Sequence, residues 1–284
     1  MRAMRDGVSS PAIAIAREPV SIFEPTPAAR RKIDLWMVAG IVVAIGAVLA
    51  GIAFAGIRIG YFFQPTGVLI VLGGTLGVIL ITTPRHALDR AVRSAVALLR
   101  APTENRVALL EEFVALSKIG RPKGLFGIEP MIGQASQPFL RESLLLAMDA
   151  RNRAELQAML ETKLHQAEKQ GETDARIFEV AGGFAPTIGV LGTVVGLMNV
   201  LRQFSDISSV AAGTGTAFVS TIYGLGLANL ILLPAAQRLR AHVADRFETH
   251  EMIVEGTLCL FDSVYPALVR DRLSCFLRPG EQGA

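Results

Sequence analysis

Charged residues are absent from four long stretches of this chain, at residues 35–57, 66–83, 180–201 and 211–237, and crowd the segments between them. At ~1.5 Å per residue, a run of 18 or more apolar residues crosses a hydrocarbon core ~30 Å thick, so each stretch predicts a membrane-spanning helix. The second is the shortest, and Pro65 and Pro84 bracket it. Residues 85–176 show helical periodicity and no strand signal. Val107, Leu110, Phe113, Val114 and Leu116 mark one amphipathic helix over 106–119, and 140–148 marks another. Asn152 followed by Glu155 forms a capping-box start for a third, through Leu156, Met159, Leu160 and Leu164. Carried through Asp174, Arg176 and Ile177 into the third apolar run, that helix is far longer than a membrane needs and can transmit motion. The intervening run from Arg121 to Glu129, with Pro122, Gly124 and Gly127, reads as a polar turn. Beyond Pro234, Leu239, Val243, Phe247 and Ile253 predict an amphipathic helix that packs back on the middle region.

The third and fourth runs differ from ordinary lipid anchors. The third carries Pro186, Gly182, Gly183, Gly189, Gly192, Gly196, Thr187 and Thr193, and Pro186, Gly189, Thr193 and Gly196 recur at helical spacing. In the fourth, Gly213, Ala217, Ser220 and Gly224 form a small-residue row beside Thr214, Thr221 and Ala228. Such faces suit close contact between helices, or the lining of a path for something polar, and spacing alone leaves both open.

The predicted fold class is therefore all-α, a polytopic membrane protein with four transmembrane helices and a helical cytoplasmic domain. The expected divisions are an N-terminal tail (1–32), a transmembrane hairpin (33–83), a cytoplasmic helical domain (84–177), a second hairpin (178–237) and a C-terminal helix and tail (238–284). A hydrophobic content of 51% and a mean hydropathy of +0.44 exclude an ordinary soluble domain. Of 28 Lys and Arg, six precede the first run, fourteen lie between the second and third, six follow the fourth, and one lies in each short loop. The positive-inside rule then puts both termini and the middle segment in the cytoplasm. Topology thus accounts for the basic residues, and nucleic acid is not needed to explain them. No small-x-small cleavage site follows the first run, so it is retained, and the proline-containing tail before it is expected to be loose.

Candidate chemistry narrows the picture further. Cys259 and Cys275 fall on the reducing side, so no disulfide is expected, and His86, His165, His242 and His250 lack metal-ligand spacing. There is no phosphate-binding loop, nucleophile elbow or catalytic carboxylate pair, which points to a non-enzyme without cofactors. The third and fourth runs contain no Asp, Glu, Lys, Arg or His. Their hydroxyls, with the carbonyls that Pro186 and Pro234 free, can coordinate a cation or order water, but cannot hold a proton near neutral pH. If ions cross here, a carboxylate must come from a second chain.

Ala185-Pro186 with Gly189, Gly192-Thr193 and Gly196-Leu197, the Ser220-Thr221-x-Tyr223-Gly224 run, and Pro234 together resemble the flagellar stator A subunits, the MotA and PomA family, whose wider group includes the TolQ and ExbB energisers. The likeness covers residues 33–265. It implies that Pro186 and Pro234 couple ion passage to movement, that Thr193 and Thr221 line the ion pathway with Ser220 beside them, and that Arg121 and Glu129 contact the rotor protein FliG. Asp149 and Glu155 stay assigned to solvent. It also implies a ring of five subunits in the bacterial inner membrane around two copies of a MotB-like B subunit, which supplies the membrane Asp, with H+ or Na+ as the transported ion. A TolQ- or ExbB-like energiser has a single span before its cytoplasmic segment, whereas two apolar runs precede it here. A non-conducting membrane scaffold is the third reading.

Overall fold

The structure is a computed structural model that describes residues 35–56, 59–98, 105–202, 207–278 and 280. The tail at 1–32 lies outside the described residues. The first two helices are α1 (Leu35–Phe54) and α2 (Pro65–Thr82); after α1 comes Gly56, whose φ of +70° is a backbone conformation that a side chain would strain. At 20 residues, α1 is about 30 Å long. Helix α2 starts at Pro65, contains a π turn at Leu69–Gly73, and ends where Thr83 becomes extended before Pro84.

The helices outside the apolar runs are α3 (Arg85–Leu98), α4 (Arg106–Lys123), the one-turn α5 (Glu129–Ile132), α6 (Pro138–Asp149) and α9 (Pro266–Ser274). Asn105 caps α4 by accepting from the Ala108 N–H at 3.1 Å. The second membrane hairpin is made of α7 (Arg153–Arg202) and α8 (Ile207–Phe261), helices of 50 and 55 residues. At ~1.5 Å per residue both run for about 75 Å or more, well beyond a bilayer. The predicted capping box forms at its N-cap half, with the Glu155 carboxylate reaching one residue further back than the motif requires. Asn152 Oδ1 accepts from the Glu155 N–H at 2.9 Å, while the Glu155 carboxylate accepts from the Arg151 N–H at 3.0 Å. Helix α8 ends in a Schellman-type cap, with Ser263 in the left-handed region (φ 54°) and the Val264 N–H bonded to the Cys259 carbonyl at 3.0 Å.

Helices α2, α7 and α8 are each long and apolar enough to cross a membrane. Large apolar side chains such as Leu69, Ile81, Leu191, Met198 and Phe218 remain exposed, as expected of surfaces that meet lipid or other chains. Away from the membrane the packing is that of a water-soluble core. Leu109, Phe113 and Leu116 of α4 meet Leu140 and Leu144 of α6, Met252 and Ile253 of α8, and Val269 and Leu273 of α9. Gly256 is required there, because a Cβ would fall 2.6 Å from the Phe113 ring. Arg106, buried at the start of α4, donates to Glu248 at 2.8 Å, to the Asp245 carboxylate at 2.7 Å and to the Phe276 carbonyl at 2.9 Å, which staples α4 to α8 and to the segment after α9.

One part of the sequence reading changes. Arg121, Pro122 and Lys123 form the last turn of α4 and are not loop residues; Gly124 (φ +68°) then breaks the helix, and a 3-10 turn (Leu125–Ile128) leads into α5. Pro122 is tolerated because it costs only one bond in a terminal turn.

His250 stacks on Phe139 with ring centroids 4.0 Å apart. Burial, helped by the Arg246 charge, holds its pKa down at about 4 against an ordinary 6.5. Because the unfolded chain takes up this proton first, stability is intact above pH 6.5 and falls as pH drops from 6.5 toward 4, by roughly 3 kcal/mol in all. Melting of the detergent-solubilised protein is therefore expected to occur several degrees lower at pH 5 than at pH 7.5, with the difference reduced in His250→Phe.

Candidate functional site

Within the membrane, α7 and α8 run so close that their backbones nearly touch. A Cβ on Gly196 would lie 2.7 Å from the Ala217 nitrogen and 2.8 Å from the Gly213 carbonyl; one on Gly224 would lie 2.7 Å from the Ala185 carbonyl. Gly189 faces the Ser220 carbonyl at 3.0 Å and Gly192 faces the Ser220 side chain at 2.5 Å, measured in the same way. The small-residue rows at Gly189, Gly192 and Gly196 and at Gly213, Ala217, Ser220 and Gly224 are thus spent on each other. They form a seam of the kind that small residues allow between membrane helices.

Ser220 lies inside this seam. It is fully buried, its Oγ donates to the Thr216 carbonyl at 2.7 Å, and it fills the space above Gly67 of α2 as well as Gly192 of α7. The threonines stand beside the seam. Thr187 Oγ1 donates to the Phe184 carbonyl at 2.7 Å, Thr193 Oγ1 to the Val190 carbonyl at 2.6 Å and Thr214 Oγ1 to the Val210 carbonyl at 2.8 Å. Each hydroxyl proton goes to its own helix, so the free lone pairs present acceptors, suited to a cation or a water proton. Thr187 is exposed, and Thr193 and Thr221 are half-buried next to Gly192 and Ser220 respectively.

The prolines are positioned by the same contact. Pro186 sits within an unbroken α7 and leaves the Gly182 carbonyl without its helix partner. Pro234 leaves the Leu230 carbonyl similarly, and here the helix widens into a π turn at Leu227–Leu232, where the Asn229 amide donates to the Leu225 carbonyl at 3.0 Å. Gly182 packs directly on Leu232 and Leu233: a Cβ on it would lie 2.8 Å from the Leu233 side chain. The two proline-weakened turns therefore face one another across the hairpin, a juxtaposition that neither proline reveals alone. π turns are uncommon and accumulate at functional positions.

Sequence reasoning passed over Gln64 and Tyr223 as a pair of anchors. Gln64 Oε1 accepts from Thr216 at 3.2 Å, and the Tyr223 hydroxyl donates to the Phe62 carbonyl, so α8 is tied to the segment that enters α2. An isolated amide immediately before the Pro65 helix start was the available signal.

Far from the apolar spans, the Arg121 guanidinium lies 3.4 Å from the centroid of the Tyr265 ring, a cation–π contact. Arg121 and Glu129 are both exposed, and Phe126 between them is 75% exposed. The two charges border different crevices. Arg121 shares one with Ser117, Leu260 and Ser263; Glu129 shares the other, of about 350 Å³, with Arg141, Leu145 and Asp149. Arg153 and Asp262 form an ion pair that joins the start of α7 to the end of α8. Tyr265, which holds Arg121, carried no sequence signal, since it follows Arg121 by 144 positions.

Two family models match the chain: the MotA/TolQ/ExbB proton channel family over residues 132–252 and the Motility protein A N-terminal family over 38–122. Among curated proteins, the chain is similar to Motility protein A of Bacillus subtilis (25% identical, covering 84% of this chain and 88% of that one). It is also similar to Motility protein A of Treponema pallidum (27%, 84% and 90%) and to the chemotaxis protein PomA of Vibrio alginolyticus (23%, 88% and 97%). Its fold matches the solved structure of C. jejuni MotAB with a TM-score of 0.80 at 22% identity, covering 87% of this chain and 96% of that one. It matches the flagellar MotAB stator complex from Bacillus subtilis with a TM-score of 0.79 at 24% identity, covering 86% and 96%.

Proposed function

Because the chain belongs to the MotA/TolQ/ExbB proton channel family, we propose that it is the A subunit of a flagellar stator, which couples ion flow across the bacterial inner membrane to torque on the rotor. The observation that carries this reading is that the apolar spans of α7 (180–201) and α8 (211–237) hold no acid, while their two proline-weakened turns face each other at the head of long cytoplasmic extensions. These two spans offer hydroxyl lone pairs and freed carbonyls beside a tight seam, and no group that titrates near neutral pH.

A MotB-like B subunit supplies the missing Asp. Five copies of the chain surround a B dimer, with both termini in the cytoplasm. Protonation of that Asp, or its binding of Na+, alters its contacts with the faces that carry Thr193 and Thr221. The hairpin responds at Pro186 and Pro234, and Ser220, locked in the seam, keeps α2, α7 and α8 moving together. The cytoplasmic extensions carry the movement to Arg121 and Glu129, which meet FliG. The full-length apolar α2 ahead of the cytoplasmic region, and the match to the motility N-terminal family, favour this over an envelope energiser of the TolQ or ExbB kind.

Expression with its B partner in a motile strain lacking its own A subunit is expected to restore swimming, and speed measured against Na+ concentration with a protonophore control identifies the ion. Protein that reaches the membrane with its partner and restores nothing counts against the proposal. Arg121→Glu is expected to slow swimming several-fold with ion flux unchanged, because exposed charges govern docking rate and partner choice. The lost Tyr265 contact costs only about 0.5–1 kcal/mol at an exposed site. A fall in ion flux as well would make Arg121 structural.

A further inference from the structure

Just below the membrane, α3 is fastened to α7 by a contact that the ion pathway and the rotor surface do not use. Ala87 and Ala91 of α3 pack against Ile177, with Leu88 and Phe178 alongside. On the same face of α3, Arg90 Nε donates to Asp174 Oδ1 at 2.7 Å and Ser94 Oγ donates to Asp174 Oδ2 at 3.1 Å. Asp174 is 3% exposed, so both of its oxygens are committed to α3 inside the protein. It precedes Val180, where the third apolar run begins, by six residues, about 9 Å along the helix axis.

The surroundings make this contact a joint and not simply part of a core. A cavity of about 310 Å³ opens beside Asp174 between α3, α7 and α8, and Gly171, His242 and Arg246 are among its lining residues. At this level α7 touches α8 through Gly171, where a Cβ would lie 2.5 Å from Val243. Slightly higher, Arg240 of α8 grips both carboxylate oxygens of Glu179, but that pair is open to water. A water-exposed ion pair yields cheaply, whereas a buried carboxylate stripped of its partners does not. Helix α3 continues α2 past the Pro84 break, so the buried joint adds, at the membrane edge, to the contacts by which Gly74 meets Ile188 of α7 and Gly67 meets Ser220 of α8 within the membrane.

We infer that Asp174 is a positioning residue of the proposed stator: by gripping Arg90 and Ser94 it locks α3, and with it the end of α2 at the membrane edge, to α7, so that ion-driven movement of the third span turns the whole subunit and is not absorbed by sliding between α3 and α7. The inference rests on the stator reading above.

The test is torque per unit ion flux in the complex with the B subunit, measured for tethered cells alongside membrane abundance. Asp174→Asn keeps a polar group of the same size but removes the charge. Its complexes are expected at wild-type abundance and flux with torque reduced several-fold, and Asp174→Glu, or the exchange of Arg90→Asp with Asp174→Arg, is expected to recover part of the loss. Unchanged torque per unit flux in Asp174→Asn overturns the inference, as does a loss of torque only in proportion to flux. If Asp174→Asn fails to accumulate, Ser94→Ala removes one of the two bonds, and wild-type torque per unit flux in that variant overturns it equally. Should the unaltered chain with its B subunit pass no ions and give no torque, the stator reading itself falls, an outcome distinct from a failure confined to the variants.

Discussion

Gly196→Val is expected to abolish motility by removing the complex from the membrane. At this position the neighbour is backbone. An added Cβ would sit 2.7 Å from the Ala217 nitrogen, 2.8 Å from the Gly213 carbonyl and 2.9 Å from the Ala217 Cα, distances that require the two helices to separate. Gly213 cannot give way, since a Cβ added there would itself fall 2.9 Å from the Gly196 carbonyl. Overpacking a tight contact typically costs about 1–3 kcal/mol where side chains can shift, and a rigid backbone neighbour puts this site at the upper end or beyond. Separation at Gly196 also loosens the contacts of Gly189 and Gly192 with Ser220. Membrane abundance and co-purification with the B subunit measure the effect. Gly183→Ala is the control, because nothing lies within 4 Å of its added methyl, and it is expected to behave like wild type.

Pro186→Ala is expected to leave abundance and assembly intact while eliminating rotation. Proline in a helix interior costs about 3 kcal/mol relative to alanine, so the substitution stabilises α7 and returns an N–H partner to the Gly182 carbonyl. Two things then vanish together: the free carbonyl, and the compliance of a turn that packs on Leu232 and Leu233 just before Pro234. A raised melting temperature with lost swimming is the expected pair of readings. Normal swimming would show that this turn does not couple ion passage to movement.

Much of the architecture can be read from the chain. Three of the four charge-free runs fall in helices that, among the described residues, are long and apolar enough to cross a membrane, and Asn152 with Glu155 marks the start of α7 at the observed residue. The continuity of α7 from its polar first half into the apolar run follows from unbroken helical patterning through Asp174 and Ile177. The small-residue rows were visible too, but their use was not, because spacing on one helix cannot say whether its glycines face a neighbour or a passing ion. The structure assigns the row to the α7–α8 seam and leaves Thr193 and Thr221 at its margins. What stayed hidden depends on pairs far apart in sequence, among them Arg121 on Tyr265, Arg90 on Asp174, and Gln64 with Thr216. The π turn before Pro234 was hidden for a different reason: a proline predicts a lost hydrogen bond but not how the preceding turn widens to accommodate it.

In the proposed mechanism the apolar spans of α7 and α8, which hold no acid of their own, use one from a second polypeptide. Ion flux into liposomes containing the purified chain, with and without its B subunit, tests this directly. The expected result is no H+ or Na+ flux from the chain alone, and flux that appears with the B subunit and disappears when the membrane Asp of that subunit is replaced by Asn. Cation conduction by the chain alone would contradict it.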